Sequence, residues 1–211
     1  MLFKDRADAA LRLFEEIKND SLIKENRDDV VVVSLLRGGV IIGNVLAKKL
    51  KVPHLPLVVS KIPAPQQEEL ALGALIFDVV YLEKRVIDSL PISKREIAAQ
   101  IAVSRTKFID YLERFAIKEG LYDKLEDKIA VLCDDGVATG ASVKTSCLFL
   151  KTRRVKSIIL AVPVAPRALA LEGIDKTYVL QRDPEFASVS QFYEDFPQVT
   201  DAEVKRLLEK N

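Results

Sequence analysis

Apolar positions along the chain follow two rhythms. Ala9, Ala10, Leu13, Phe14 and Ile17 recur at intervals of three and four, which predicts a helix over residues 5–19. Residues 29–36, DVVVVSLL, are almost unbroken and β-branched, the pattern of a parallel strand covered on both faces. Arg37, Gly38 and Gly39 follow, then a helical run over 40–50, then a strand over 55–60, LPLVVS. Strand, turn, helix and strand make a βαβ unit. Residues 61–69, KIPAPQQEE, read as a loop, and 70–82 as one or two short strands.

A long inserted helix is predicted over about 93–118, with a stop at Gly120. Ser93 and Glu96 form a capping box, and Ile92 and Ile97 a hydrophobic staple. Ile97, Ile101, Phe108, Leu112 and Phe115 supply its apolar face. The opposite face is charged, and reads as solvated, or else as a protruding arm or the contact of a homodimer. Alternation resumes with a strand over 128–133, a turn over 134–142, a helix over 143–150 and a strand over 156–163. A short helix over 166–171, a strand over 176–180, and a helix capped by Thr200 and Glu203 complete the series. The basic cluster Lys151, Arg153, Arg154 and Lys156 falls at a helix end, where it complements the helix dipole. The expected fold is a single α/β domain over 1–211 with a mainly parallel central sheet flanked by helices. An insertion occupies about 62–127, and a small C-terminal hood or tail about 183–211.

A length of 211 residues suffices for one well-buried core. Lys and Arg number 32 against 31 Asp and Glu, a balance that argues against general nucleic-acid binding but permits a local phosphate site. Cys133 and Cys147 sit in apolar stretches and read as reduced core thiols, which places the expected location in the cytoplasm. The first residues lack the apolar run of a signal peptide, and no stretch reaches the ~18 apolar residues of a membrane span, so no membrane partner is expected. The single histidine, His54, cannot build a histidine-rich metal site and reads as a loop residue between Pro53 and Leu55.

The chemistry concentrates in residues 130–146, AVLCDDGVATGASVKTS. Two carboxylates end an apolar strand, and a turn bearing Gly136, Thr139, Gly140 and Ser142 leads into a helix. Successive N–H groups of such a turn, with the positive end of the helix dipole, form a phosphate nest. Asp134 and Asp135 would repel phosphate but accept hydrogen bonds from a vicinal diol, so a sugar phosphate satisfies both halves. The pair also repel each other, so replacing both should leave stability unchanged or slightly higher. Neither a Walker loop nor a G-x-G-x-x-G fingerprint is present.

Residues 130–142 resemble the phosphoribosyl-pyrophosphate motif of the type I phosphoribosyltransferases. Residues 34–43, SLLRGGVIIG, resemble that family's pyrophosphate loop, while 61–74 and 190–204 resemble a subgroup of unassigned acceptor. The likeness runs from about residue 30 to residue 208. Three positions depart from the subgroup: Leu36 stands for a proline, Ser60 for an arginine before Lys61, and Gln67 and Glu68 for residues near Asn-Pro.

The resemblance implies the type I phosphoribosyltransferase fold and a site in parts. Leu36, Arg37, Gly38 and Gly39 would bind pyrophosphate, and the side chains of Arg37 and Lys61 would neutralise its charge. Asp134 and Asp135 would hold the ribose diol and, through water or ribose hydroxyls, a Mg²⁺ ion. Gly136, Val137, Ala138, Thr139, Gly140, Ala141 and Ser142 would anchor the 5′-phosphate. The implied reaction takes 5-phosphoribosyl 1-pyrophosphate and a nitrogenous acceptor, both small molecules. A non-catalytic sensor of the same ligand or of a nucleotide is the alternative. A metal-dependent phosphatase would need further carboxylates or histidines that the sequence does not supply. Phe192, Tyr193 and Phe196 either cover an acceptor base or form core under the last helix.

Overall fold

The computed structural model describes residues 2–65, 67–169 and 171–209. In chain order the elements are α1 (Arg6–Ile17), α2 (Ser21–Glu25), β1 (Val30–Leu35), α3 (Gly39–Leu50), β2 (His54–Leu57), β3 (Ser60–Ala64), β4 (Gln67–Ile76) and β5 (Val79–Leu82). They continue as α4 (Lys84–Asp88), α5 (Lys94–Arg114), β6 (Ile129–Cys133), α6 (Ala141–Thr152), β7 (Ser157–Pro166), β8 (Lys176–Asp183) and α7 (Asp201–Leu208). Five strands in the order β2-β1-β6-β7-β8, all parallel, form the central sheet. The antiparallel set β3-β4-β5 forms a second, smaller sheet.

The β-branched run of β1 works on both faces. Val31, Val33 and Leu35 enter a core shared with the small sheet, α5 and α6, while Val30 and Val32 enter one shared with α1 and α3. Two-sided burial explains why this strand shows no polar alternation.

Four expectations are corrected. Residues 61–69 are not a loop: β3 and β4 pair as a hairpin, and Ser60 has left the strand predicted over 55–60 to begin it. The proline content that suggested a loop is accommodated by register shifts on either side of Pro63, the setting in which a strand tolerates proline. The long helix does form with its capping box, but it stops at Arg114. Phe115 and Ile117 turn into the core, Ala116 between them takes a left-handed φ of 52°, and Gly120 falls in a later helical turn, Glu119–Leu125. The short helix predicted over 166–171 is absent among the described residues, because β7 stays paired with β8 as far as Pro166 and Asp183.

His54, the fourth, is not a loop residue. It opens β2, is buried, and its Nε2 lies 2.7 Å from the Ser34 hydroxyl. Burial, aided by the Lys48 charge, holds its imidazole down at about 4. The folded chain therefore keeps His54 neutral at pH values where the unfolded chain protonates it, so stability falls as pH drops through that window and levels out below about 4. Between pH 7 and pH 5 the parent should lose about 2 kcal/mol more unfolding free energy than His54→Gln, which keeps a polar partner for Ser34. Urea unfolding at the two pH values checks this, and identical profiles would contradict it.

Candidate active site

After β1 the chain crosses into α3 on the α1 face, and after the neighbouring strand β6 it crosses into α6 on the opposite face. Adjacent strands whose helices leave on opposite sides open a crevice at their carboxyl ends, the usual ligand position in such sheets. A cleft of about 500 Å³ lies there. It is bordered by Leu36, Arg37 and Gly38 after β1, by Asp134 and Asp135 after β6, and by Lys61 and Ser142.

The two turns are seated against each other. A Cβ on Gly38 would overlap an Asp135 carboxylate oxygen, and one on Gly39 would lie 3.0 Å from the Cα of Asp134. No larger residue leaves this approach intact. The Leu36–Arg37 peptide is cis.

Asp134 and Asp135 differ in environment. Asp135 receives a 2.7 Å bond from Nε of the buried Arg6, whose guanidinium also donates to the Pro197 carbonyl and lies 3.6 Å from the Phe196 ring centroid. The Tyr193 hydroxyl donates to the Asp135 carbonyl at 2.6 Å. Asp134 accepts its neighbour's N–H at 2.9 Å. Burial and the Asp135 charge raise its carboxyl well above the ordinary range, against the opposing pull of Lys61.

Arg37 is not free in the cleft: its Nη1 lies 3.4 Å from Asp201 at the start of α7, and Asp201 also accepts from Arg114 at 2.9 Å. In the turn leading into α6, the Val137 N–H is used on the Val164 carbonyl, so this residue fastens the turn to β7. The N–H groups of Ala138, Thr139 and Gly140 meet no acceptor among the described residues. Gly140, at φ 81°, turns the chain into α6. Gly136 and Ala141 are buried backing, and Ala138 and Thr139 are exposed at the rim. Thr139 borders a separate hollow beside Lys144 and Glu83, whereas Ser142 faces the main cleft.

Among the described residues no three His, Cys, Asp or Glu side chains gather as a metal cage. Two adjacent carboxylates, one with its ionised form disfavoured by burial and by the other's charge, would fit instead a hydrated Mg²⁺ whose remaining ligands come from substrate and water.

Sequence reasoning missed Arg6 and Asp201, which hold site residues, and Lys107 and Tyr111 of α5, which line the cleft; it named Tyr193 but not its bond to Asp135. Lys107 and Tyr111 were legible in principle: they stand one and two turns beyond Ser104 on one helical face. The aromatic run lies outside the cleft lining, and its packing partners are not those of α7. Phe192 and Tyr193 are buried with Phe3 in the α1 and α3 core, and Phe196 stacks on Arg6.

A family model described as the phosphoribosyl transferase domain matches residues 3–197. Two Mycobacterium tuberculosis proteins, from strains CDC 1551 / Oshkosh and ATCC 25618 / H37Rv and each named "Putative phosphoribosyl transferase", are 34% identical over 216 residues. These alignments cover 99% of this chain and 47% of the relatives, so the chain spans about half their length. The crystal structure of TT1426 from Thermus thermophilus superposes with a TM-score of 0.70 at 27% identity, covering 100% of this chain and 99% of that one.

The surroundings of the acid pair overturn the expectation that replacing both relieves repulsion at no cost. Asp135→Asn leaves Arg6 buried without its counter-charge and should lower stability by about 3 kcal/mol at pH 7, the low end for breaking a buried pair. Asp134→Asn removes a disfavoured charge and should leave stability equal or higher. Chemical denaturation of both variants checks this, and a shared direction of change would contradict it.

Proposed function

The chain belongs to the phosphoribosyl transferase family, and from that premise we propose that its cleft takes 5-phosphoribosyl 1-pyrophosphate and transfers the phosphoribosyl group to a nitrogenous acceptor, releasing pyrophosphate. The observation that supports this reading is the seating of the Gly38–Gly39 turn on Asp134 and Asp135, so that the glycine turn and the acid pair border one cleft.

In the reaction the bond from ribose C1 to the diphosphate oxygen breaks and its electron pair leaves with diphosphate. A lone pair of the acceptor nitrogen forms the new C–N bond. Arg37 and Lys61 stand where they can hold the growing negative charge of the leaving group, with the turn amides closing on its oxygens. The acid pair accepts hydrogen bonds from the ribose hydroxyls and sets negative charge beside the oxocarbenium-like sugar. The amides of 138–140 and the Ser142 hydroxyl hold the 5′-phosphate, so remote binding energy positions C1. Mg²⁺, when bound, would supply further charge neutralisation at the diphosphate, with Asp134 and Asp135 holding its water shell.

The second reading, a non-catalytic sensor, draws support from the contact between Arg37 and Asp201, which occupies a side chain that catalysis needs. Pyrophosphate release from 5-phosphoribosyl 1-pyrophosphate and Mg²⁺ across a panel of bases and amines separates the two. Transfer gives acceptor-dependent release, and tight binding with no release under any acceptor favours the sensor. Within either reading, Arg37→Ala should weaken binding of inorganic pyrophosphate by about 1.5–3 kcal/mol and of ribose 5-phosphate by much less. Equal losses in calorimetry would contradict the assignment of this turn to diphosphate.

A further inference from the structure

The small sheet and α5 form a wall of the cleft to which the reading above gives only Lys61 a role. Ser60, at the start of β3, is a buried, short side chain bordering the cleft, and it stands where the family resemblance expects an arginine. The diphosphate side is therefore one cation short, and Arg37 is shared with Asp201.

We propose that α5 supplies the missing cation, and that Lys107 binds the diphosphate end of the substrate; this rests on the reading of the cleft given above. Ser104 is fully buried, and its hydroxyl donates to the Lys61 carbonyl at 3.0 Å. A polar group at that depth needs its partner, so this bond fixes the register of α5 on β3 at the residue that carries the cleft's lysine. One turn beyond Ser104 is Lys107, and one turn further is Tyr111, and both border the cleft with Lys61, Arg37 and Gly38. Among the residues whose side chains are described, neither Lys107 nor Lys61 forms a salt bridge. Arg105 and Arg114, on the same helix, pair instead with Asp78 and with Asp110 and Asp201. Two ammonium groups on one wall of a cleft beside a glycine turn, one of them within electrostatic reach of Asp134, suit a ligand with several negative charges on one group. Diphosphate is such a group. The 5′-phosphate turn at 138–140 belongs to the approach to α6, whereas α5 packs chiefly on β3.

Calorimetric titration of the full chain with inorganic pyrophosphate, and separately with ribose 5-phosphate, tests this. Lys107→Gln should weaken pyrophosphate about tenfold, as expected for one lost charge-assisted contact. It should change ribose 5-phosphate by less than about twofold, the residue of screened longer-range attraction. Lys107→Arg should restore most of the pyrophosphate affinity, and Lys94→Gln, at the far start of α5, should alter neither ligand. Lys107 is exposed, so its replacement should not disturb folding. If Lys107→Gln binds pyrophosphate as the parent does, or loses both ligands equally, the inference is wrong while the cleft reading stands. If the parent binds neither ligand, the cleft reading falls, and the role of Lys107 with it.

Discussion

The ion pair between Arg6 and Asp135 ties together three regions far apart in sequence: the first helix, the acidic turn after β6, and the C-terminal stretch through Tyr193, Phe196 and Pro197. Both partners are largely out of water, so neither charge can be left alone without a penalty of several kcal/mol. Arg6 is therefore surrounded: a carboxylate, a carbonyl and an aromatic face use its donors and its flat cation together. Asp135 in turn becomes a fixed anion with a fixed orientation. The rest of the site follows from that fixity. The Gly38 turn can approach only because nothing larger than hydrogen faces the held carboxylate. Asp134 is buried beside that held charge, so burial first and the neighbouring carboxylate second disfavour its ionised form.

The sheet supplies the geometry that this interaction fixes. β1 and β6 are neighbours, and their following helices depart to opposite faces, so the ends of the two strands face one crevice. The hairpin and α5 then close one side, with the Ser104 hydroxyl setting how helix and hairpin meet. Among the described residues no helix is long and apolar enough to cross a membrane. The C-terminal stretch does two jobs: its aromatic part is core against α1, and Asp201 reaches Arg37.

What the sequence disclosed, it disclosed through strong local physics. Strands β1 and β6 are buried on both faces, which forces unbroken apolar runs, and the acidic turn is legible because two carboxylates ending such a run have no packing role. The capping box at Ser93 is a local hydrogen-bond device and needs no tertiary information. The failures have the opposite character. The hairpin was hidden because Pro63 and the glutamines argue against a strand, and only the register shifts resolve the conflict. The end of α5 was set by Phe115 and Ile117 finding core, not by Gly120. Arg6 was invisible because an arginine in the first turn of an amphipathic helix ordinarily faces water, and its partner lies 129 residues away. His54 was read from its flanking residues, while its placement follows from a hydroxyl on the adjacent strand.

The central claim is that one cleft, between the turn after β1 and the acidic turn after β6, receives both ends of 5-phosphoribosyl 1-pyrophosphate. A crystal structure of the chain with that ligand and Mg²⁺ tests it most directly. The account predicts diphosphate oxygens on the amides of 37–39, ribose hydroxyls on Asp134 and Asp135, and the 5′-phosphate on the turn leading into α6. A ligand seated elsewhere, for example in the groove beside Pro53, Phe115 and Leu208 at the other end of β1, would contradict it.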